Sequence, residues 1–96
     1  MSDNRKAYVE KIKAKLDEWN AEIDKLEAKS RQAEADARIS YQDQIDTLKE
    51  KRKNLSKRFK DLRQAGGDAW KDMKSGVELA ANSLSDALRS AQSRFK

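Results

Sequence analysis

Apolar side chains fall at Val9, Ile12, Leu16, Trp19, Ile23 and Leu26, at alternating steps of three and four residues. That is the a/d seam of a heptad repeat, which keeps one apolar side chain per turn on one face of a helix. The seam thins to Ser30, Ala33 and Ala37, then takes two four-residue steps to Tyr41 and Ile45. It resumes its alternation through Leu48, Arg52, Leu55, Phe59 and Leu62. Consecutive four-residue steps shift the phase of the stripe, as a stutter does in a coiled coil. The positions between seam residues hold Glu, Lys, Asp, Gln and Arg, which are good helix formers where packing does not decide. Glu27 with Arg31 and Glu34 with Arg38 are favourably ordered i,i+4 pairs, worth about 0.3 kcal/mol each.

A stop signal comes only at QAGGDAW, residues 64–70. Gly66 and Gly67 supply the left-handed conformation that ends a helix, and Asp68 suits the N-cap of the next one. A second stripe then runs Trp70, Met73, Val77, Ala80, Leu84, Leu88, Ala91 and Phe95. Ser75-Gly76 interrupts it, at about 1 kcal/mol for the glycine. Close approach of the first helix is the expected reason. The pattern predicts one all-α domain: a long coiled-coil helix over 1–65, a Gly-Gly turn at 66–67, and an amphipathic helix over 68–96 that folds back.

A straight helix over residues 4–65 is about 90 Å long at 1.5 Å per residue. The second helix covers residues 40–65 and leaves the stripe from Val9 to Leu26 bare, which a stable monomer does not tolerate. The chain can turn near residues 30–38, giving a monomeric three-helix bundle. Alternatively, two chains lie antiparallel and each N-terminal half completes its partner's bundle, a domain swap. The segment KSRQAEADARIS has no Gly, Pro or Asn and is rich in Ala. It carries no turn signal, which favours the swapped dimer with Ala33 and Ala37 near its two-fold axis.

Charge changes the picture at one place. The net charge is +5, yet residues 49–63 alone hold eight Lys and Arg against Glu50 and Asp61. Lys49, Lys51, Lys53, Lys57, Arg58, Lys60 and Arg63 form a candidate polyanion face, with the stem of Arg52 packed on the seam. A solvated helix face is the plainer reading. The aromatic in this stretch, Phe59, faces inward, so any nucleic-acid binding is phosphate-driven, nonspecific and salt-sensitive. Trp19 and Trp70 read as core. Trp70 and Phe95 at the two ends of the second helix, with flanking cations, give a weak signal for an anionic membrane surface.

The chain has no His, Cys or Pro. That removes the commonest metal ligands, the thiol nucleophile and serine–histidine catalysis. GGDAW is too short for a phosphate loop and no GKS or GKT follows it. Glu18 and Glu22 lie at i,i+4 on an outer face and read as solvated charges. No cofactor, metal or catalytic residue is expected. The absence of Cys fits a reducing compartment, and no apolar run reaches the roughly 18 residues of a membrane span, so a cytoplasmic protein is expected.

Three stretches, AYVEKIKAKLDEWNAEIDKLEAK (7–29), ADARISYQDQIDTLKEKR (35–52) and GGDAWKDMKSGVELAANSLSDALRSAQSRF (67–95), carry a resemblance. They resemble a family of small bacterial coiled-coil proteins associated with stress responses, after a cyanobacterial member. The resemblance implies a helical bacterial protein made under stress, without catalytic residues or an assigned ligand. The expected function is that of a non-enzymatic structural or interaction protein, a homodimer that docks a protein partner. The alternative is nonspecific binding of a polyanion or anionic membrane through residues 49–63.

Overall fold

A computed structural model of the chain describes residues 3–94, so Phe95 lies outside the described residues. Three helices follow one another: α1 (Asp3–Arg31), α2 (Ala35–Gln64) and α3 (Gly67–Arg94). They pack side by side in alternating direction, with extents of 51 × 18 × 18 Å. No strand occurs among the described residues, as the unbroken helical periodicity requires.

The long helix expected over 1–65 is divided in this structure. Residues 32–34 leave the helical path, and α1 doubles back onto α2. The last turn of α1 tightens, with the amide of Gln32 donating to the carbonyl of Lys29 at 3.1 Å and that of Ala33 to Ser30 at 3.2 Å. Glu34 then adopts extended backbone, φ −65° and ψ 157°, and its side chain makes no cap. What replaces a glycine here is Arg38. One of its guanidinium nitrogens donates to the carbonyl of Arg31 at 3.4 Å and to that of Ala33 at 3.1 Å. Those carbonyls lie beyond the helical ladder and need donors from elsewhere. The expected Glu34–Arg38 pair gives way to this bracing, and Glu27 pairs across the helices rather than with Arg31.

The fold-back covers the N-terminal stripe with the chain's own residues. Ile12, Leu16, Ile23 and Leu26 of α1 meet Ile45, Leu48, Leu55, Phe59 and Leu62 of α2 in one buried cluster. Val77, Ala80, Leu84, Leu88 and Ala91 complete it from α3. Val9, Trp19, Tyr41 and Trp70 are half-buried at its margins. Ala33 and Ala37, expected at a two-fold axis, are half-buried beside the turn. Met73, which the pattern places on the stripe, is 39% exposed, although Trp70, nearer the end of α3, is half-buried. Packing is most extensive between α2 and α3 and least between α1 and α3.

The second turn follows the expected chemistry with a shifted boundary. Gly67 has φ +55°, the left-handed region that an L side chain enters at a cost of about 1–2 kcal/mol. Helix α3 begins at this residue, so Asp68 lies in its first turn, where a carboxylate suits the helix dipole. At Gly76 the close neighbour is a side chain. A Cβ there would come within 2.9 Å of Nη1 of Arg58, the mobile end of a long residue.

Candidate functional site

Folding disperses the basic stretch of α2 over three directions. Lys49 turns toward α1, and its ammonium donates to Oε2 of Glu27 at 2.6 Å. That bond holds the Glu27 carboxyl below its ordinary range, against the opposing effect of burial and with help from the charges of Lys49, Arg31 and Arg52. Lys51 turns toward α3 and donates to Oγ of Ser83 at 2.7 Å. Arg58 donates from Nε to Oδ1 of Asn54 at 3.3 Å. The guanidinium of Arg63 lies 5.7 Å from the Phe59 ring centroid. Arg52 is half-buried.

Lys53, Lys57 and Lys60 remain fully outward. All three are exposed and none forms an ion pair among the described residues. Lys53 and Lys57 rim a shallow groove of about 420 Å³ between α2 and α3, which Ala80 and Ser83 line from the far side. Unpaired ammonium groups beside an open groove can bind phosphate oxygens without first breaking an internal bond.

A second cluster joins the N-terminal ends of α1 and α3. The rings of Tyr8 and Trp70 meet edge to face, with centroids 5.6 Å apart. The Arg5 guanidinium lies 5.0 Å from the Trp70 ring centroid, and the Lys74 ammonium 4.8 Å from that of Tyr8. Arg5 also donates to the carbonyl of Gly67 at 3.3 Å, tying α1 to the second turn. The Tyr8 hydroxyl and the Trp70 indole nitrogen are buried without a hydrogen-bond partner among the described residues. Burial, and then the charge of Glu78, push the Tyr8 phenol up to about 12. Below this cluster a groove of about 390 Å³ separates α1 from α3, with Tyr8, Ile12 and Trp19 on one wall and Ala81, Asn82 and Ser85 on the other.

The periodicity pointed to Trp70 but not to its companions. Tyr8 adjoins Val9 and stands four residues before Ile12, so the apolar face of α1 is wider than a strict heptad seam; that width was the available signal. Lys74 stands four residues after Trp70 on α3 and lies 5.8 Å from its ring centroid, so its i,i+4 spacing was a signal; Arg5 reaches Trp70 from α1 and carries none. Glu22, expected to be solvated, accepts from Nε2 of Gln92 at 2.8 Å and helps close the lower α1–α3 seam.

Among the described residues no group of three His, Cys, Asp or Glu can hold a metal ion. No helix among them is long and apolar enough to cross a membrane. No family model, curated protein or solved structure matches the chain.

Proposed function

We propose that the chain is a non-enzymatic helical interaction protein that associates with itself and docks partners along its helices. The observation that carries this reading is the link at residues 32–34. It is three residues long, contains no Gly or Pro, and holds no residue at positive φ. Straightening it into a helix demands no forbidden backbone, so α1 can leave its own bundle and fill the same place in a second copy. The exchanged dimer retains the packing of α1 on α2 and α3 away from the link, gives up the bracing by Arg38, and makes residues 3–64 one helix. Ile39 and Leu79, 68% and 72% exposed on a charged surface, give a partner apolar footholds. A cytoplasmic, stress-associated setting accompanies this reading on the strength of the sequence resemblance.

Light scattering over concentrations of roughly 10 µM to 1 mM tests the exchange, since intramolecular docking competes in that range. A species of twice 11.0 kDa that grows with concentration is expected. Spin labels at Glu34 of the two chains should then lie within about 20 Å, the span of two helix diameters. A monomer throughout removes the exchange and leaves partner docking.

A second reading is nonspecific binding of a polyanion or anionic membrane surface through residues 49–63. The exposed and unpaired state of Lys53, Lys57 and Lys60 favours it. Retention on an anionic matrix at about 50 mM salt, lost when the three become Glu with helicity unchanged, is the expected result.

A further inference from the structure

Dividing each helix at its midpoint separates the charge of the bundle. Residues 3–16, 49–64 and 67–80 share one half and hold 15 Lys and Arg against 7 Asp and Glu. The other half, residues 17–48 and 81–94, holds 6 against 10. Apart from Lys96, which lies outside the described residues, the net charge of +5 is thus a rod that is +8 at one end and −4 at the other. Antiparallel packing creates this segregation, because it stacks the basic C-terminal half of α2 on the basic N-terminal half of α1.

The excess at the basic end is not consumed inside the protein. Lys6 and Lys13 of α1, Lys53, Lys57 and Lys60 of α2, and Lys71 of α3 are all exposed. None of the six is in an ion pair among the described residues. They belong to all three helices, whose outer faces together make up the perimeter of a cross-section of 18 × 18 Å. A flat bilayer or a straight duplex touches one side of such a cylinder. A flexible strand winds about it and reaches all three helices.

We propose that the basic half of the bundle, across its three helices, binds a flexible polyphosphate strand: single-stranded nucleic acid or inorganic polyphosphate. This deepens the second reading above and rests on it. The aromatic rings at this end, Tyr8 and Trp70, are already occupied by each other and by Arg5 and Lys74. They offer no stacking platform, so the contacts are to phosphate and carry no base preference. The acidic half repels the strand and restricts it to one end.

The test uses the full chain and a fluorescent oligothymidylate of about 20 nucleotides, the length of one or two single-strand binding sites. Three neutralised variants change charge equally: Lys53, Lys57 and Lys60 to Gln on α2; Lys6, Lys13 and Lys71 to Gln on α1 and α3; and Lys25, Lys29 and Arg31 to Gln in the acidic half. All nine residues are exposed, and circular dichroism checks that helicity is kept. Wild type should bind at about 50 mM salt, with log K falling against log salt at a slope near −4 if six phosphates are engaged. Both basic-half variants should lose about tenfold or more in affinity, while the acidic-half variant stays within about twofold. Inorganic polyphosphate should compete, which identifies the phosphate backbone as the ligand chemistry; failure to compete overturns the inference, because contacts to phosphate alone cannot tell the two strands apart.

Loss in the α2 variant with no change in the α1–α3 variant overturns the composite surface and leaves the 49–63 reading standing. Equal loss in all three variants overturns it in favour of bulk net charge. Binding to phosphatidylglycerol vesicles without binding to the strand overturns it in favour of a lipid surface. No binding to strand, polyphosphate or vesicles removes both the inference and the reading beneath it.

Discussion

Tyr8 and Arg38 show how single residues bear on this bundle from positions outside its apolar stripes. The Tyr8 hydroxyl is buried, lacks a partner among the described residues, and ionises only at about 12. A buried hydroxyl without a bond costs its desolvation and returns nothing. Tyr8→Phe should therefore keep or raise stability at neutral pH, by up to about 1 kcal/mol in a denaturant titration. The pH dependence has a definite sign. The unfolded chain releases the phenol proton near the ordinary value of 10.0, whereas the folded chain holds it up to about 12. Stability is fully present below the first value and is lost as pH rises through the second. Melting curves at pH 9 and 11 should converge for Tyr8→Phe relative to wild type. Arg38 acts at the turn, where its guanidinium supplies donors to the carbonyls of Arg31 and Ala33. Arg38→Ala should cost about 0.5–1 kcal/mol, the range for exposed hydrogen bonds. It should also speed amide exchange at residues 32–38 ahead of the helix interiors.

At the scale of elements, the all-helical class was legible because its signal repeats about a dozen times along the chain. The Gly66-Gly67 turn was legible for another reason: one of its residues does occupy the left-handed region. The turn at 32–34 was hidden. Its device is an arginine reaching back to carbonyls from four residues beyond the turn, and arginine is also an ordinary residue for an exposed helix face. The phase slip between Ala33 and Ile45 gave no sign of it, since its steps through Ala37, Tyr41 and Ile45 fall inside the unbroken helix α2. The dispersal of the basic stretch was illegible too, because Glu27 and Ser83, which capture Lys49 and Lys51, become neighbours only after that reversal. Two outcomes test these element contacts. Gly76→Ala should stabilise α3 by about 0.5–1 kcal/mol, because Arg58 can swing aside and the helix gains the propensity glycine lacks. A melting temperature lowered by the substitution would mean that Arg58 is held in place. The Glu27–Lys49 bond contributes stability above the ordinary carboxyl value of 4.5, and this is lost as pH falls through the depressed value in the folded chain. Glu27→Gln should thus narrow the difference between melting temperatures at pH 6 and pH 3.

The whole molecule is a sequence of hairpins in which each helix packs best on its chain neighbour. Pairing of this local kind brings fast folding, in the microsecond to millisecond range, and a chain without proline has no slow isomerisation phase. Stopped-flow refolding should accordingly be complete in one phase within the first few milliseconds. The Gln32–Glu34 link also sets a condition on memory. A tether this short holds α1 beside α2 and α3 at an effective concentration on the order of millimolar. A second copy in dilute solution competes poorly with that, so the route by which the protein was concentrated or refolded determines how many chains are exchanged. Two samples at the same final concentration, one refolded when concentrated and one when dilute, should differ in dimer content until α1 is released. The short link makes the assembly a record of the chain's history as well as of its surroundings.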